Sequence, residues 1–376
     1  MRPLVLRGHR RPLTCVKTNR EGDLLFTCGK DASLLLWRTD NGQQIGQYNT
    51  GRGAIWACDV TVDSKMVIAA TGDARILILD TFTGEMIADI KDEGACKYVE
   101  WNRNPQKQDK FVMIHDDFGE SVFMALKVYK LNFERTEEGG LAVEHRILWT
   151  QRGYRSRAIQ CHWGPLDRDV ITCHENGTIQ VKRACHVDMD TQVWDAEDGT
   201  NLHVIEAHKQ TVTCISFDLY GLFMLSVGTP RSRVQFSAVL LGWYREALGN
   251  PELDHRKGTA STNGPHVAQN YKTDRPLNAC VISPCFKPDS VEKAHILLGG
   301  GQSADEVTTT AASEGKFQAL LHHLIHEGEI GSIKGHFGPI NTLTFLAEGN
   351  GYVSGGEDGN VRIYHFDKDY ILDKYD

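Results

Sequence analysis

Short apolar runs of strand length alternate with clusters of turn-forming residues along this chain. Near the N-terminus, apolar residues gather at 13–16, 24–26 and 34–37, and the polar cluster Asn-Arg-Glu-Gly-Asp at 19–23 separates the first two runs. Runs of this length, bounded by Gly, Asn and Asp, predict β-strands joined by tight turns. A less regular form of the same alternation continues along the chain, so we expect an all-β protein built from many short strands.

A set of four residues recurs at both ends of the chain with the same spacing. His9, which follows a glycine, precedes Asp31 by 22 positions, Trp37 stands 6 positions after Asp31, and the hydroxyl residue Thr27 lies 4 positions before it. Near the other end the same spacings connect four residues: His336, Ser354, Asp358 and Tyr364. Repeats of about 40–45 residues with four short strands are the signature of WD40 β-propeller blades.

The repeat predicts a seven-bladed WD40 β-propeller in a single domain, 1–376. Its blades start near residues 9, 51, 92, 154, 208, 274 and 336. Segment 2–7 precedes the first blade, and we expect it to close the ring as the outer strand of the last blade, beside residues 361–364, because an open ring exposes sheet edges. Two stretches exceed the needs of a blade, about 183–194 and 237–270. They are predicted to be inserted surface segments between the outer strands of neighbouring blades.

The recurring quartets have a structural explanation. The Asp, in the turn between the second and third strands, can accept hydrogen bonds from backbone N–H groups and from the His. The His can in turn bond the hydroxyl, which reaches the Trp or the Tyr. A buried polar chain satisfied in this way fixes the blade. We therefore interpret both quartets as structural and not as Ser-His-Asp catalytic sets.

Other candidate chemistry gives a weaker signal. Three Cys-His pairs, at 161–162, 173–174 and 185–186, use ligands that zinc prefers. However, neighbouring residues of a strand point to opposite faces, and residue 185 lies beyond reach of a hairpin that turns at 176–177. The glycines at 299–301 lack the Lys-Ser/Thr of a phosphate loop. Strand positions explain both features better, so the sequence predicts no metal, no cofactor and no enzymatic activity.

Composition narrows the function further. The 376 residues carry 41 Lys and Arg against 49 Asp and Glu, and this net charge of −8 argues against nonspecific nucleic-acid binding as the main activity. Basic clusters at 7–11, 152–157 and 231–233 permit two interpretations, solvated turns or a patch for RNA or an acidic partner. The sequence has no apolar run long enough to cross a membrane and no signal peptide. We expect a cytoplasmic protein without membrane contact, whose 10 cysteines are reduced thiols.

Several stretches resemble one WD40 family in particular. They lie at 19–27, 163–166, 275–278 and 334–359, and the most specific is Leu-Gly-Gly-Gly-Gln at 298–302, with its continuation at 305–317. These stretches resemble subunit i of eukaryotic translation initiation factor 3. The resemblance runs from residue 1 to about 367, apart from the two extra stretches.

The resemblance implies a non-catalytic scaffold that binds the b and g subunits of that factor. Such a scaffold supports assembly of the 43S preinitiation complex and mRNA recruitment on the small ribosomal subunit, which it contacts through the complex. In that family the helical tail of the b subunit docks around the fifth and sixth blades, where the candidate contact residues are Lys209, Asp218, Tyr220 and Arg275. Direct contact with RNA stays open. The alternative is a WD40 signalling or ubiquitin-ligase adaptor that presents protein substrates.

Overall fold

Strands account for nearly all of the secondary structure. A computed structural model describes residues 2–116, 124–135, 141–154, 156–164, 169–183, 201–209, 211–229, 236–242, 266–287, 293–302, 316–325, 328–367 and 370. These residues form 28 β-strands in seven sheets of four strands, with one 3-10 turn at Pro105–Lys107. The architecture confirms the all-β propeller predicted from the repeat.

Each sheet is antiparallel, and the strands are numbered in chain order. The first sheet contains β2 (Leu13–Thr18), β3 (Leu24–Gly29), β4 (Leu34–Arg38) and β5 (Gln44–Tyr48). The second contains β6 (Ile55–Val60), β7 (Met66–Thr71), β8 (Arg75–Asp80) and β9 (Met86–Lys91). The third contains β10 (Cys96–Trp101), β11 (Lys110–Asp116), β12 (Met124–Arg135) and β13 (Leu141–Gln151).

The remaining sheets follow the same order. The fourth contains β14 (Ala158–Trp163), β15 (Asp169–His174), β16 (Thr178–Arg183) and β17 (Asn201–Glu206). The fifth contains β18 (Val212–Phe217), β19 (Phe223–Gly228), β20 (Phe236–Gly242) and β21 (His266–Thr273). The sixth contains β22 (Leu277–Ile282), β23 (His295–Gly300), β24 (Ala319–His323) and β25 (Glu329–Ile333). The seventh contains β26 (Ile340–Phe345), β27 (Gly351–Gly356), β28 (Asn360–His365) and β1 (Leu4–Arg7).

The first strand of each sheet lines the axis of the ring. These seven strands begin three or four residues after the seven predicted blade starts. We call the face at which the first strands begin the upper face, and the face at which they end the lower face. Because the strands are antiparallel, the upper face also carries the turn between the second and third strands of each sheet. The lower face carries the other two turns.

Apolar layers between neighbouring sheets form the core. Every residue of β3 and of β27 is buried, because neighbouring sheets cover both faces of these strands. Phe26 of the first sheet, for example, shares a buried cluster with Val67 of the second. Removal of this apolar surface from water is the main stabilising contribution, at about 25 cal/mol per Å².

The N-terminal strand joins the two ends of the chain. β1 pairs antiparallel with β28, in a register that places Leu4 opposite Ile363 and Arg7 opposite Asn360. Leu6 is 5% exposed and lies in a cluster that contains Trp37 of the first sheet and Ile363 of the seventh. The strand that precedes the first sheet in sequence thus completes the seventh sheet, which has four strands.

Hydrogen bonds also connect the first strands around the axis. The seven sheets have seven neighbouring pairs, or junctions, around the ring. In each pair, a side chain on the first strand of one sheet forms a hydrogen bond with the backbone of the first strand of the next sheet. From the first–second junction onward these are Thr14 to Ile55 (2.6 Å), Trp101 to Asp59 (2.8 Å), Trp163 to Glu100 (3.0 Å), Ile215 to Gln160 (3.0 Å), Thr213 to Leu277 (2.8 Å), Asn278 to Ile340 (3.2 Å) and Val16 to Thr342 (3.1 Å), donor first. The ring is therefore closed by polar contacts as well as by packing.

The two extra stretches lie elsewhere than predicted. Stretch 183–194 begins at the last residue of β16, and stretch 237–270 includes most of β20 and the start of β21. Each interruption therefore falls between the third and fourth strands of one sheet, and not between neighbouring sheets. The apolar run at 239–242 belongs to β20, so it pairs within the sheet. Residues 184–200 and 243–265 lie outside the described residues.

Candidate protein-interaction site

The first predicted quartet forms one hydrogen-bonded chain in the first sheet. Nδ1 of His9 lies 3.1 Å from Asp31 Oδ1, and its Nε2 lies 2.9 Å from Thr27 Oγ1. The indole N–H of Trp37 donates to the same hydroxyl over 2.9 Å. Burial raises the pKa of Asp31, but hydrogen bonds from the Arg10 backbone N–H and from His9 outweigh burial and lower this pKa below its usual range. Donors and acceptors match along these hydrogen bonds when the neutral imidazole of His9 carries its proton on Nδ1, which donates to Asp31, while Nε2 accepts from Thr27.

The second quartet, in the seventh sheet, assembles without its aromatic member. His336 lies 3.1 Å from Asp358 through Nδ1 and 2.8 Å from Ser354 through Nε2. The hydroxyl of Tyr364 donates to the backbone carbonyl of Lys334 over 3.1 Å, so the expectation that it bonds the serine was wrong. A phenol carries its O–H at the tip of the ring, beyond the position of an indole N–H. It therefore reaches past the serine to the loop before the first strand.

Two further sheets contain, among their described residues, only the histidine–hydroxyl hydrogen bond of the quartet. In the fifth, Nε2 of His208 lies 2.9 Å from Ser226 Oγ, and Pro230, at the position of the Asp, lies outside the described residues. In the fourth, Nε2 of His174 lies 2.9 Å from Thr172 Oγ1. Burial lowers the pKa of both histidines to about 4, so they act as neutral hydrogen-bonding groups.

In the third sheet a buried ion pair takes the place of the quartet. The ammonium of Lys127 donates to Asp92, and the hydroxyl of Tyr129 donates to the other carboxylate oxygen over 3.0 Å. Ligand atoms of Asp92, Glu93 and His115 lie within 4.8 Å of one another, a spacing that could hold a metal ion. The same ammonium, however, lies 3.7 Å from Glu93 and contacts both carboxylates. Lys127 supplies the positive charge here, and we assign no metal to this cluster.

A channel of about 530 Å³ lies on the axis of the ring. It is lined by residues from all seven first strands. The uppermost layer to which all seven first strands contribute is formed by the second residue of each strand: Thr14, Trp56, Lys97, Ile159, Thr213, Asn278 and Asn341. The Lys97 ammonium lies 4.0 Å from the centre of the Trp56 ring. The tryptophan of this layer is therefore engaged in a cation–π contact within the protein.

An ion network with largely buried carboxylates lies around the lower part of the channel. Glu100 accepts two hydrogen bonds from Arg103, at 2.9 and 2.7 Å, and lies 3.1 Å from Nδ1 of His162. Burial raises the pKa of Glu100, but the Arg103 charge and the contact with His162 outweigh burial and lower it below its usual range. Burial lowers the pKa of His162, so Arg103 is the charged partner. Lys17 lies 3.6 Å from Asp59 on the neighbouring strand. These charges neutralise one another across adjacent sheets, which suits a framework better than a reaction centre.

The remaining sequence candidates occupy structural positions. Cys161 and Cys173 are buried in two different apolar clusters, and burial raises the pKa of both thiols. The two thiols therefore share no ligand site, and the third Cys-His pair, at 185–186, lies outside the described residues. Gly300 allows close approach of the backbone, because a Cβ at this position would lie 2.0 Å from the carbonyl oxygen of Pro276.

The four candidate partner residues lie on opposite faces of the ring. Lys209 and Arg275 precede β18 and β22 on the upper face, whereas Asp218 and Tyr220 follow β18 on the lower face. The six residues of β18 separate the two faces by about 20 Å. A single docked helix therefore cannot contact all four, and the structure does not assemble them into one site.

Two of these four residues have structural roles instead. Asp218 is 3% exposed and accepts the backbone N–H groups of Tyr220 at 2.9 Å and of Phe223 at 2.6 Å, which fixes the turn after β18. Arg275 is 6% exposed and donates to Asp274 at 2.8 Å. Lys209 and Tyr220 are exposed and stay candidates for contact.

An apolar patch surrounds Tyr220 on the lower face of the fifth and sixth sheets. Leu219 is 75% exposed, Tyr220 49% and Ile325 47%, and we call these three residues the lower-face patch. The rings of Tyr220 and Phe286 lie 6.5 Å apart, and Phe286 shares a core cluster with Leu324, the neighbour of Ile325. Exposed apolar groups of this kind mark interaction sites. The sequence predicts only Tyr220 of this patch, although the turn 218–222 also contains Leu219 and Leu222.

Comparisons with known proteins agree with this architecture. The family model "WD domain, G-beta repeat" matches residues 2–38, 199–229 and 328–365. The β-propeller domain of Cps50 (Swd1) from Myceliophteria thermophila aligns with a TM-score of 0.70 over 97% of this chain and 100% of that chain. Sequence identity to that domain is 10%, so this similarity supports the fold alone.

Full-length relatives decide the family. Proteins named eukaryotic translation initiation factor 3 subunit I are 32% identical in Bombyx mori (99% of this chain, 97% of the relative), 31% in Schizosaccharomyces pombe (100% and 99%) and 33% in Aspergillus oryzae (99% and 96%). The chain belongs to the eukaryotic translation initiation factor 3 subunit I family. The resemblance drawn from the sequence motifs is therefore confirmed. Within the residues that the structure describes, no helix of this family member is long and apolar enough to span a membrane.

Proposed function

We propose that this chain is a non-catalytic scaffold subunit of eukaryotic translation initiation factor 3. It acts in the cytoplasm, where the b and g subunits hold it in the complex. Through that complex it supports 43S assembly and mRNA recruitment on the small ribosomal subunit. The observation that carries this proposal is 31–33% identity, over nearly the whole length of both chains, to proteins named as this subunit.

The axial channel supports a scaffold role. Its charged side chains are engaged with one another, as in the contacts of Glu100 with Arg103 and His162. The quartets of the first and seventh sheets are likewise engaged in hydrogen bonds within their own sheets. Polar groups committed in this way stabilise a rigid platform, which offers its faces and rim to other proteins.

For the tail of the b subunit we propose docking on the lower-face patch. Leu219, Tyr220 and Ile325 offer apolar surface at the boundary of the fifth and sixth sheets. An amphipathic helix binds such a surface through residues spaced three and four apart. Tyr220, a large ring with a polar tip, is the kind of residue that dominates binding energy at such contacts.

Affinity purification of the tagged full-length chain tests membership of the complex. We expect the other initiation-factor subunits and the small ribosomal subunit to co-purify, as identified by mass spectrometry. Recovery of ubiquitin-ligase components without any initiation factor would favour the adaptor alternative. Recovery of neither set would refute both functions.

A pair of variants tests the docking surface. Tyr220→Ala should weaken binding of the purified b-subunit tail at least tenfold, measured by isothermal titration calorimetry with the full chain. The control is Phe82→Ala, because Phe82 is 73% exposed on the lower face of the second sheet, away from the patch. Equal affinities for Tyr220→Ala and the control would exclude the patch as the docking site while leaving membership of the complex intact.

A further inference from the structure

Four arginines on the upper face have no ion-pair partner among the described residues. They are exposed, and they lie around the loops that lead into the first and second sheets: Arg7, Arg10, Arg11 and Arg52. Six other arginines of the described chain lie within ion-pair distance of a carboxylate: Arg75, Arg103, Arg152, Arg157, Arg275 and Arg362. Unpaired arginines also occur elsewhere, for example Arg20 and Arg38 on the lower face, but only the upper-face set brings four of them to neighbouring loops. The four arginines thus concentrate uncompensated positive charge in a chain whose net charge is −8.

A nearly fully exposed phenylalanine borders this charge. Phe337 is 85% exposed and stands directly after His336, as Arg10 stands after His9. The backbone N–H of Phe337 donates to Asp358 at 3.2 Å, and that of Arg10 donates to Asp31 at 2.7 Å, so equivalent quartets hold both loops in the same way. The two positions are therefore related by one step around the ring.

The loops of the seventh and first sheets form one continuous surface. A Cβ on Gly359, in the upper turn of the seventh sheet, would lie 3.4 Å from the carbonyl oxygen of Arg11. Lys30 of the first sheet lies 3.8 Å from Glu357 of the seventh. Arg7 sits opposite Asn360, where β1 meets β28. Arg7, Arg10, Arg11 and Phe337 consequently lie on adjoining loops of the upper face, and Arg52 lies on the same face at the start of the next sheet.

The carboxylates of this region are directed inward. The side chains of Asp31 and Asp358 are 9% and 10% exposed and contact the quartet histidines. Glu357 is partly exposed and accepts a hydrogen bond from Asn341 at 2.7 Å in addition to its contact with Lys30. The side chain of Asp73, next to the loop that carries Arg52, is 34% exposed and lies 3.8 Å from Arg75. Each of these four carboxylates thus already has a partner within the protein, which leaves the four arginines as the unpaired charges of this surface within the described chain.

We propose that Arg7, Arg10, Arg11, Arg52 and Phe337 form a binding surface for single-stranded RNA on the upper face of the seventh, first and second sheets. The guanidinium forks bind backbone phosphates, and the phenyl ring stacks on one base. This proposal names a direct RNA partner and does not depend on where the b or g subunit docks.

The composition of the surface favours RNA over an acidic protein. All four cations are arginines, whose planar forks match phosphate oxygens. Phe337 is the one apolar member of the set, whereas the buried centre of a protein interface is rich in apolar and aromatic side chains. A single exposed ring among guanidinium groups is instead the pattern of sequence-tolerant binding to unpaired bases.

Fluorescence anisotropy with a labelled 20-nucleotide oligouridine tests the proposal on the full chain. We expect saturable binding whose affinity falls with salt. Arg10→Glu together with Arg11→Glu should weaken binding at least tenfold and reduce the slope of log affinity against log salt by about 1.4, the value for two phosphate contacts to a single strand. Phe337→Ala should weaken binding about fivefold or more and leave the salt slope unchanged, because stacking releases no counterions.

The matched control reverses two arginines on the lower face of the same sheet. Arg20→Glu with Arg38→Glu makes the same change in net charge, and both residues are exposed. Retention of wild-type affinity by the control supports the proposal, whereas equal loss in both double variants would show a global charge effect and overturn it. Displacement of the RNA by polyglutamate at equal charge concentration would also overturn it, in favour of an acidic protein. Unchanged melting curves and unchanged b-tail binding show that the variants are folded.

Discussion

Closure of the ring by β1 makes a quantitative prediction for Leu6→Ala. Leu6 is 5% exposed and packs between the seventh and first sheets against Trp37 and Ile363. Loss of a buried leucine side chain to alanine costs about 2–5 kcal/mol, and a position on an outer strand, where neighbours can relax, belongs at about 2–3 kcal/mol. The matched control is Val5→Ala on the opposite side of the same strand, where the side chain is 44% exposed and the expected cost is about 0.5 kcal/mol.

Urea titration followed by tryptophan fluorescence measures this difference. With an m value of about 3 kcal/mol per molar urea, Leu6→Ala should lower the unfolding midpoint by about 0.7–1 M, and Val5→Ala should barely move it. Deletion of residues 2–7 removes the whole β1 ladder and should lower the midpoint further. Equal midpoints for the two point variants, or an unchanged midpoint after the deletion, would refute closure by β1.

Three other predictions follow from the buried polar groups. Thr27→Val removes a hydroxyl that is hydrogen-bonded to both an imidazole and an indole N–H, and it should lower the free energy of unfolding by about 2–4 kcal/mol in urea titrations. Ser354→Ala removes a hydroxyl with one such partner and should lower it by about 1–2 kcal/mol. Equal losses would contradict the difference in aromatic contacts between the two quartets. Burial lowers the pKa of His208 to about 4, so between about pH 6.5 and 4 the unfolded chain binds a proton that the native chain does not. Stability should therefore fall with decreasing pH by up to about 1.4 kcal/mol per unit from this group, and His208→Asn should flatten the pH profile of the melting temperature; an identical profile would exclude it. Lys127→Met should destabilise the protein by about 3–5 kcal/mol because it leaves Asp92 buried without its cation. Adding Asp92→Asn to that variant should restore part of the lost stability. If the two substitutions were instead additive in a double-mutant cycle, the ion pair would contribute nothing.

The sequence predicted those parts of the fold in which strand length fixes the spacing between two residues. The distance from His9 to Asp31 spans two strands and their turn, so it recurs wherever a complete sheet recurs, and it located the blade starts. The extra stretches were placed wrongly because the repeat length shows how many residues exceed a blade. It does not show between which two strands the extra residues lie. β20 and β21 were absorbed into the predicted insertion for that reason.

The candidate site was harder to predict because faces are a property of the closed ring. Lys209 and Asp218 are nine positions apart in sequence, yet one strand places them on opposite faces. The polar contacts around the axis were also missed. Asp59, Glu100 and Gln160 each bond the next strand. They share no residue type, and single polar residues within apolar strands give no repeat to count.

The pairing of β1 with β28 also has a consequence for biosynthesis. Leu4 and Ile363 are 359 positions apart in sequence, yet they lie opposite each other in one sheet. At about 5–20 residues per second, the ribosome completes the intervening chain in roughly 20–70 s, and during this time the N-terminal strand has no partner. Contacts so distant in sequence form slowly, and an unpaired strand edge promotes aggregation. We therefore expect the edge of β1 to stay open to wrong pairing on the ribosome until β28 has been made.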